Sequence, residues 1–542
     1  MLILKKKKAV VFKLRNPQRI TTVIPTAVTI AKPDHSIVAV PHRPDETRVL
    51  RNLGYEVPDP MPLHYQYPKA NGRYDPFEAQ RATASFLTMH SRAYCLNSMG
   101  TGKTNAALWA YDYLRRVKQV KRMLVVCPLS TMERTWGDGV FCTFPHLEFA
   151  VLHGSRDRRR KLLATDRDIY IINIDGLRTI AADLKQRPDI DLIVVDELAM
   201  ARNQKTTRWE VLDEICNKQT TRRVWGMTGS PTPNSPTDAW AQCKLVTPKN
   251  PLVPKYFSHF RDQVMRQINQ FKWVPRPNAN DIIHKMMQPA IRFSLDDCTD
   301  LPEQTFITRE VEMSDDQKKA YRDMVNKLSV EAAGGQILAV NEAVKANKLV
   351  QIACGVAYDT NGNIVKIDNK SRIEAVKELI EESEGKVIVF VPLTGALEHV
   401  AEEVSKMFAP AHDLVAKRLE GKPVLADEVA IVHGATSKNE RDEIFRAFQT
   451  QPNPRVLVAN ASTMSHGLTL TAATTIIWYA PVHSNETYEQ ACARVRRPGQ
   501  TRTTVIAHIA GSDIERRVYK RLQEKQSMQG VLLEMMKEAA ED

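Results

Sequence analysis

The chain has 542 residues, a length typical of about three to four domains, and 43% of them are hydrophobic, which is enough for several sizeable cores. No apolar run approaches the roughly 20 residues that a membrane span needs. The short apolar start Met1–Leu4 precedes its lysines, the reverse of a secretory signal, so we expect a cytoplasmic protein. Eight scattered cysteines form no C-x-x-C pair, which argues against a zinc site or a disulfide framework.

Residues 1–70 are predicted to form a small, basic, β-rich accessory domain. They hold 12 Lys/Arg and 5 Asp/Glu, and so carry +7 of the net charge of +13, which favours nucleic-acid contact over a merely solvated surface. A helix is predicted from Asp45 to about Asn52, and the proline-rich stretch Pro58–Pro68 is interpreted as a linker. The predicted strands are Ala9–Leu14, Ile20–Ile24, Ala27–Ile30 and Ile37–Val40.

The stretch Ser98–Thr104 reads Ser-Met-Gly-Thr-Gly-Lys-Thr between the apolar run Ala93–Leu96 and residues with helical spacing. A strand, a glycine-containing turn and a helix in this order predict a phosphate-binding loop, because glycines let backbone N–H groups close around phosphate oxygens. Lys103 would reach the terminal phosphates of the ligand, and the Thr104 hydroxyl would hold Mg²⁺. The usual leading Gly or Ala of such a loop is Asn97. The predicted nucleotide-binding residues of the loop are Gly100, Thr101, Gly102, Lys103 and Thr104.

Residues 71–250 alternate apolar strands with amphipathic helices, which predicts a parallel sheet with chemistry at the carboxyl ends of its strands. Asp196 and Glu197 directly follow one such strand. An acidic pair there can support Mg²⁺ through Asp196 and orient the attacking water through Glu197. The predicted strands are Ala93–Leu96, Met123–Cys127, Phe149–Leu152, Ile169–Ile172, Leu192–Val195 and Arg223–Met227.

Residues 251–370 break this alternation with prolines and mixed helical pieces, and we interpret them as a linking segment. The alternation resumes in residues 371–542, which predicts a second α/β unit of similar size without a phosphate loop. Its predicted strands are Val387–Val391, Val429–Val432, Arg455–Ala459 and Thr475–Trp478, followed by a helix from about Ser512.

The second unit supplies two arginines, Arg494 and Arg497, which are predicted to lie on a helix and its exit. Their spacing of i and i+3 would make them neighbours on one helix face. Guanidinium groups that reach a γ-phosphate stabilise transition-state charge, so both arginines are candidate catalytic residues. The alternative without a catalytic role is a basic helix end whose arginines are exposed to solvent.

The order of these motifs resembles superfamily 2 helicases and, more narrowly, the Swi/Snf-like translocases, over residues 74 to 515. Phe77–Gln80 resembles the glutamine motif, and Ser98–Thr104 resembles motif I. Val125–Thr131, with Trp136 after it, is similar to motif Ia. The remaining similar motifs are Asp196–Ala199 (motif II), Thr228–Asn234 (motif III), Val387–Val391 (motif IV), Ser462–Leu470 (motif V) and Gln490–Gln500 (motif VI).

This resemblance implies two RecA-like parallel-sheet lobes in tandem, with ATP between them and Mg²⁺ beside it. It implies that Gln80 reads adenine and that Gly467 and Gln490 also contact nucleotide. It further implies that duplex or branched DNA, rather than RNA, is the partner, bound with little sequence specificity. The nucleic-acid contacts implied for the loops of motifs Ia and V are Pro128, Ser130, Thr131 and Thr463.

Two departures from the family pattern affect the interpretation. The motif II position that usually holds His is Ala199, so the coupling of hydrolysis to movement is less secure than hydrolysis itself. The chain also leaves no space for large remodeller insertions, which makes a nucleosome role a poor fit. We expect a monomer in the cytoplasm of a bacterial or phage-infected cell, working with replication or recombination proteins.

Alternatives to a duplex-tracking motor remain open at the level of sequence. One is a strand-separating or branch-migrating helicase, which would share the motor and carry a small N-terminal nucleic-acid domain. Another is a nucleotide-dependent clamp or loader without productive hydrolysis, for which Ala199 is the supporting feature. Lys103, Glu197 and both arginines argue against the clamp.

Overall fold

The computed structural model describes residues 1–69, 75–218, 222–233, 235–269, 272–298, 301–333, 339–358, 364–409, 425–464 and 469–524. The chain divides into two compact units, Met1–Thr232 with Pro236–Met265 and Pro275–Thr299, and Pro233–Ser235 with Arg266–Val274 and Asp300–Asp542. Each unit contains one large parallel sheet, which confirms the predicted α/β class with two lobes. Within the ranges given above, no helix combines the length and the apolar character that crossing a membrane would require.

The first unit opens with a four-stranded antiparallel sheet in the order β1-β2-β4-β3. Alternate residues of β2 and β4, with Leu50 of the helix Pro44–Asn52, form its small core. The helix ends before Gly54, whose φ of +90° suits glycine. The strands are β1 (Leu2–Leu4), β2 (Ala9–Leu14), β3 (Val28–Ala31) and β4 (Ser36–Pro41).

The predicted strand Ile20–Ile24 is wrong, because a short helix, Gln18–Thr21, occupies this position. The β-branched run favours a strand by propensity. Pro17 at the helix N-cap and the burial of Ile20 and Ile24 against the small core outweigh that preference.

The proline-rich stretch interpreted as a linker is packed against the first lobe. It contains the short helix Met61–His64, and Met61 and Tyr65 belong to the buried core of that lobe. The Tyr65 hydroxyl donates a hydrogen bond of 2.6 Å to the carboxylate of Asp112, which is fully buried. This contact holds the proline-rich stretch against the helix Lys103–Arg116 of the first lobe.

The first parallel sheet has the order β13-β5-β10-β9-β6-β8-β7. Its strands are rich in β-branched and aliphatic residues because helices cover both faces. The strands of this sheet are β5 (Arg92–Cys95), β6 (Arg122–Cys127), β7 (Phe149–Val151), β8 (Ile169–Asn173), β9 (Ile190–Asp196), β10 (Arg223–Met227) and β13 (Ala290–Ile291). The separate pair β11 (Met265–Asn269) and β12 (Lys272–Pro275) belongs almost entirely to the second unit. The α-helices after the basic domain are Glu78–Met89, Lys103–Arg116, Asp138–Thr143, Arg156–Ala164, Ile174–Leu177, Ala181–Lys185, Thr207–Asn217, Asp238–Val246, Phe257–Val264 and Ala279–Met286.

The second parallel sheet has the order β14-β21-β20-β17-β19-β18. Two of its strands, β14 and β21, have no counterpart in the sequence prediction, and β14 comes from the segment interpreted as linking. The strands are β14 (Gln304–Glu310), the antiparallel pair β15 (Val356–Tyr358) and β16 (Ile364–Lys366), β17 (Lys386–Phe390), β18 (Val429–Val432), β19 (Val456–Ala459), β20 (Ala473–Trp478) and β21 (Thr504–Ala510). The α-helices are Asp315–Ala333, Ala339–Ala353, Lys370–Glu382, Thr394–Ser405, Lys438–Thr450, Asn485–Cys492 and Asp513–Gln523.

Candidate active site

The predicted phosphate loop lies between β5 and the helix Lys103–Arg116, in the first unit. Gly100 and Gly102 have φ values of +81° and +78°, a backbone conformation that other residues rarely adopt. The Lys103 ammonium donates to the carbonyl oxygens of Asn97, at 2.8 Å, and Ser98, at 3.2 Å. The loop thus holds a cation beside the N-terminal N–H groups of a helix, which is the donor set that a phosphate group requires.

Gln80 bridges the start of the helix Glu78–Met89 to this loop. Its Oε1 accepts from the Phe77 N–H at 3.1 Å, and its Nε2 donates to the Thr101 carbonyl at 3.1 Å. A Cβ on Gly102 would lie 2.0 Å from that Nε2, so a larger residue at 102 would displace Gln80. The amide therefore positions the loop, and its reading of adenine stays a prediction.

Asn97, the irregular first position of the loop, connects three segments of the first unit. Its Nδ2 donates to the Thr83 hydroxyl at 2.8 Å, and its Oδ1 accepts from the Phe293 N–H at 2.9 Å. Asn97 is 2% exposed, and Gly or Ala here would remove both hydrogen bonds. The sequence carried no signal for this role, because Phe293 lies 196 residues away.

The acidic pair follows the predicted strand. Asp196 ends β9, and its carboxylate accepts from the Trp136 indole N–H at 2.9 Å and from the Glu197 backbone N–H at 3.1 Å. Trp136 is fully buried, so the indole holds the Asp196 carboxylate in one orientation. Glu197 has a φ of +51°, a strained conformation of the kind that clusters at functional sites.

The strands that carry these groups end level with one another. Met227, the last residue of β10, pairs with Cys95 of β5 on one side and with Asp196 of β9 on the other. The phosphate loop and the acidic pair therefore occupy the same edge of the sheet. Leu198 packs against Gly226, where an added Cβ would lie 2.6 Å from its side chain, so this glycine, which the sequence reasoning missed, lets motif II approach the sheet.

The oxygen donors at this edge fit a magnesium ion. Mg²⁺ is a hard cation that binds carboxylate and hydroxyl oxygens together with substrate phosphates. Asp196 supplies a carboxylate at the end of β9, and Thr104 supplies a hydroxyl in the first turn of the helix that follows the phosphate loop. These are the two residues that the sequence assigned to the ion.

In the second unit, the prediction that Arg494 and Arg497 share a helix face is wrong. The helix Asn485–Cys492 ends before both, and they lie in the turns that follow it. Arg494 is 2% exposed. Arg497 donates to the Ala493 carbonyl at 3.0 Å and to the Thr469 hydroxyl at 3.3 Å. Burial lowers the pKa of Arg497 to about 10, which still leaves it charged at neutral pH.

The other predicted contacts are placed as follows. The Gln490 amide donates to Glu486 on the same helix at 3.2 Å. The Thr131 hydroxyl donates to the Pro128 carbonyl at 3.0 Å, and the Thr463 hydroxyl donates to the Asn460 carbonyl at 2.7 Å. Both threonines therefore shape their own loops. Ser130 is half-buried in the Pro128–Thr131 loop, and Gly467 lies outside the described residues.

Comparison with known proteins gives two successive family matches. The SNF2-related domain matches residues 91–358, and the helicase conserved C-terminal domain matches residues 371–499. Protein p41 of Acyrthosiphon pisum secondary endosymbiont phage 1 is 25% identical over 488 residues, which cover 86% of this chain and 99% of that protein.

Two further similarities concern larger or structurally characterised proteins. The ATP-dependent helicase MG018 of Mycoplasma genitalium is 22% identical over 80% of this chain, which spans only 39% of that protein. The solved SWI2/SNF2 ATPase core of Sulfolobus solfataricus in complex with dsDNA is 20% identical, with a TM-score of 0.39 over 85% of this chain and 93% of that one. From the two family matches in tandem, the chain belongs to the SNF2-related family of ATP-dependent helicases.

Proposed function

We propose that this protein is a DNA-stimulated ATPase that uses ATP hydrolysis to move along or remodel duplex or branched DNA. The observation that carries the proposal is the level ending of β5, β9 and β10, which brings the phosphate loop and the acidic pair to one edge of the first sheet. Groups at the carboxyl ends of parallel strands are well placed to act on one ligand. The family membership supports the use of ATP.

In this proposal each residue of the first unit has a distinct task. Lys103 leaves the carbonyls of Asn97 and Ser98 to bind the terminal phosphates, and Thr104 and Asp196 hold Mg²⁺. Bound Mg²⁺ would neutralise charge on the phosphates. Glu197 orients and deprotonates the attacking water, while the Trp136 indole keeps Asp196 directed at the ion.

The second unit contributes Arg494 and Arg497, which would stabilise the charge that develops on the transferred phosphoryl group. Gln490 and Gly467 would add nucleotide contacts. Closure and reopening of the two lobes around ATP would convert nucleotide state into displacement. Pro128, Ser130, Thr131 and Thr463 would hold DNA backbone phosphates, which gives binding with strong salt dependence and little sequence preference.

ATP turnover measured with single-stranded, duplex, forked and four-way DNA, with RNA as control, tests the proposal. We expect stimulation by duplex or branched DNA, and a fall of at least about 10²-fold in Lys103→Ala, because one donor to a charged transition state is lost. Lys161→Ala, which changes an exposed lysine on another helix, is the matched control. Absence of stimulation, or normal turnover in Lys103→Ala, would contradict the motor.

A second assay separates the kinds of motor. Unwinding of a forked substrate indicates strand separation, whereas displacement of a triplex strand without unwinding indicates duplex tracking. ATP binding without turnover would favour the clamp alternative, for which the buried Ala199 is the supporting feature. We further propose a cytoplasmic monomer that works with replication or recombination proteins, which sedimentation and affinity capture would test.

A further inference from the structure

A cavity of about 600 Å³ lies in the first unit, between the antiparallel sheet and the C-terminal end of the helix Lys103–Arg116. Its walls come from four separate stretches of chain. They include Val28 of β3 and Ala39 of β4. The cationic residues that line it are Lys7, Lys8, Arg43, Arg116 and Lys118.

Most of this positive charge has no counter-charge. Lys7, Lys8, Arg43 and Lys118 are exposed, and in the described ranges none of them forms an ion pair with a carboxylate. Arg116 alone pairs, at 2.8 Å with Asp112.

Two carboxylates lie close to residues of the cavity wall. Asp112 is fully buried and also accepts from Tyr65 at 2.6 Å. Glu46 accepts from the Thr26 hydroxyl at 3.4 Å through one oxygen, and its other oxygen is buried without a hydrogen-bond partner among the described residues. Four mutually repelling cations around one cavity raise the local potential and favour an anionic ligand.

The cavity also contains a buried polar group without a partner. Tyr113 lines it and is 2% exposed, and its hydroxyl makes no hydrogen bond in the part of the chain that the structure covers. A buried donor without a partner destabilises the fold, and an incoming oxygen acceptor would remove that cost. The Tyr113 ring itself is buried and presents no open face on which a base could stack.

Two uncommon backbone conformations occur in the wall of this cavity. Among the residues that the structure describes, three other than glycine have a positive φ: Lys8 at +47°, Lys118 at +60° and Glu197 at +51°. One belongs to the candidate active site, and the other two are lysines of this cavity. Lys8 ends the helical turn Lys5–Lys7 and Lys118 follows the helix Lys103–Arg116, so both left-handed residues reverse the chain at the cavity wall.

We propose that this cavity binds the phosphodiester backbone of nucleic acid and so anchors DNA away from the ATP site. The cations come from three chain segments, and the volume of the cavity is far larger than that of a single phosphate group. Both features suit the successive phosphates of a nucleic-acid strand. The helix that joins the loop to the cavity has 14 residues, so the two sites are about 20 Å apart. Because no aromatic face is open for stacking on a base, we expect this cavity to bind nucleic acid through its charge and without sequence preference. The inference rests on the proposed function in taking DNA as partner.

Fluorescence anisotropy without nucleotide tests the anchor, using a labelled single strand, a labelled duplex and inorganic pyrophosphate as competitor over a series of salt concentrations. In the double variant Lys8→Gln/Lys118→Gln two phosphate contacts are lost. The slope of the logarithm of the observed binding constant against the logarithm of the salt concentration should therefore become shallower, by about 1.4 for the single strand and about 1.8 for the duplex. Lys32→Gln/Lys161→Gln removes two exposed lysines outside the cavity and should keep the parental slope.

A second pair of variants keeps every cation in place. Val28 and Ile30 are 62% and 57% exposed and face the same side of β3, but only Val28 lines the cavity. Val28→Glu should weaken DNA binding several-fold more than Ile30→Glu. Because both side chains are exposed, neither change should prevent folding.

The outcomes are separable. Equal slopes in both lysine pairs, or equal effects of the two glutamates, would overturn the anchor. Pyrophosphate binding that depends on Lys8 and Lys118 while DNA binding does not would also overturn it and indicate a small-anion site. If DNA fails to stimulate the parent's ATPase but the cavity variants still lose DNA affinity, the motor proposal fails and the anchor stands.

Discussion

Two buried carboxylates follow parallel strands in this molecule, Asp196 in the first unit and Glu515 in the second. Asp196 ends β9 and is held by the Trp136 indole at 2.9 Å and by the Glu197 N–H at 3.1 Å. Glu515 lies in the helix after β21 and accepts from Arg372 at 2.9 Å and from the Ser512 hydroxyl at 2.8 Å. The backbone N–H groups of Gly511 and Ser512 donate to it as well, both at 3.0 Å.

The difference shows that one sheet architecture uses its carboxyl edge for two purposes. Asp196 is oriented by neutral donors at an edge that also carries the phosphate loop, which suits a group that must receive a cation. Glu515 is fully buried against an arginine that is 2% exposed, so its charge is compensated within the protein. Substitutions at the first edge should therefore affect turnover, and substitutions at the second should affect stability.

The largest effect should come from Arg497→Ala, which tests whether the second unit is purely structural. If Arg497 stabilises the transition state, turnover should fall by about 10³- to 10⁵-fold while nucleotide binding remains. Single-turnover hydrolysis beside nucleotide titration measures the two separately. Arg496→Ala removes the adjacent arginine and should keep most of the activity; normal turnover in Arg497→Ala would remove Arg497 from the site.

Glu197→Gln should lower hydrolysis by about 10²- to 10⁴-fold, because the isosteric amide cannot accept a proton from water. The unfolding transition should stay at the parental temperature, since the Trp136–Asp196 hydrogen bond is retained. Steady-state ATPase and thermal unfolding check the two parts. A variant that loses stability instead would place Glu197 with Glu515 as a structural carboxylate.

Glu515→Gln should have the opposite effect, a loss of stability and not primarily of hydrolysis. It leaves the buried Arg372 without a counter-charge, which costs about 3–5 kcal/mol of unfolding free energy. Glu310→Gln is the matched control, because Glu310 forms an exposed ion pair with Arg516, which lies on the same helix as Glu515. Loss of this exposed pair should lower the unfolding free energy by at most about 1 kcal/mol. Denaturant unfolding measures both, and equal losses would refute the distinction between the two pairs.

A smaller effect concerns pH. His508 is fully buried, bonds the Tyr488 hydroxyl at 2.8 Å and stacks on Tyr519, and burial lowers its pKa to about 4. Between pH 6.5 and 4 the unfolded chain binds a proton that the folded chain does not, so stability falls as pH falls, by about 3 kcal/mol in total. His508→Gln should flatten this part of the stability curve of the second unit. An unchanged pH profile would show that another group controls it.

Much of the fold could be predicted because its signals are local. The strand Arg223–Met227 and the strand Val429–Val432 were predicted to the residue, since each is a short apolar run between turn signals. β14 and β21 were missed because Gln304–Glu310 mixes polar and apolar residues and its pairing with β21 spans about 200 residues. The pairing is a tertiary contact without a local pattern.

The candidate site divides in the same way. Lys103, Thr104, Asp196 and Glu197 were identified from motifs that are continuous in sequence, and the structure places β5 and β9 on either side of β10. The supporting contacts of Asn97, with Thr83 and Phe293, required coordinates because the partners are distant in sequence. The helix predicted to carry both arginines ends earlier, because spacing alone cannot show where a helix stops.

The pairing of β14 with β21 determines where a fragment that contains the second unit should begin. The match to the helicase C-terminal domain begins at residue 371, yet all seven residues of β21 pair with β14, which lies more than 60 residues earlier. A fragment that begins at residue 371 would expose a full row of strand N–H and C=O groups, a template for aggregation. A fragment that begins at residue 301 would keep this edge covered, and it is the better choice for expressing the second unit alone.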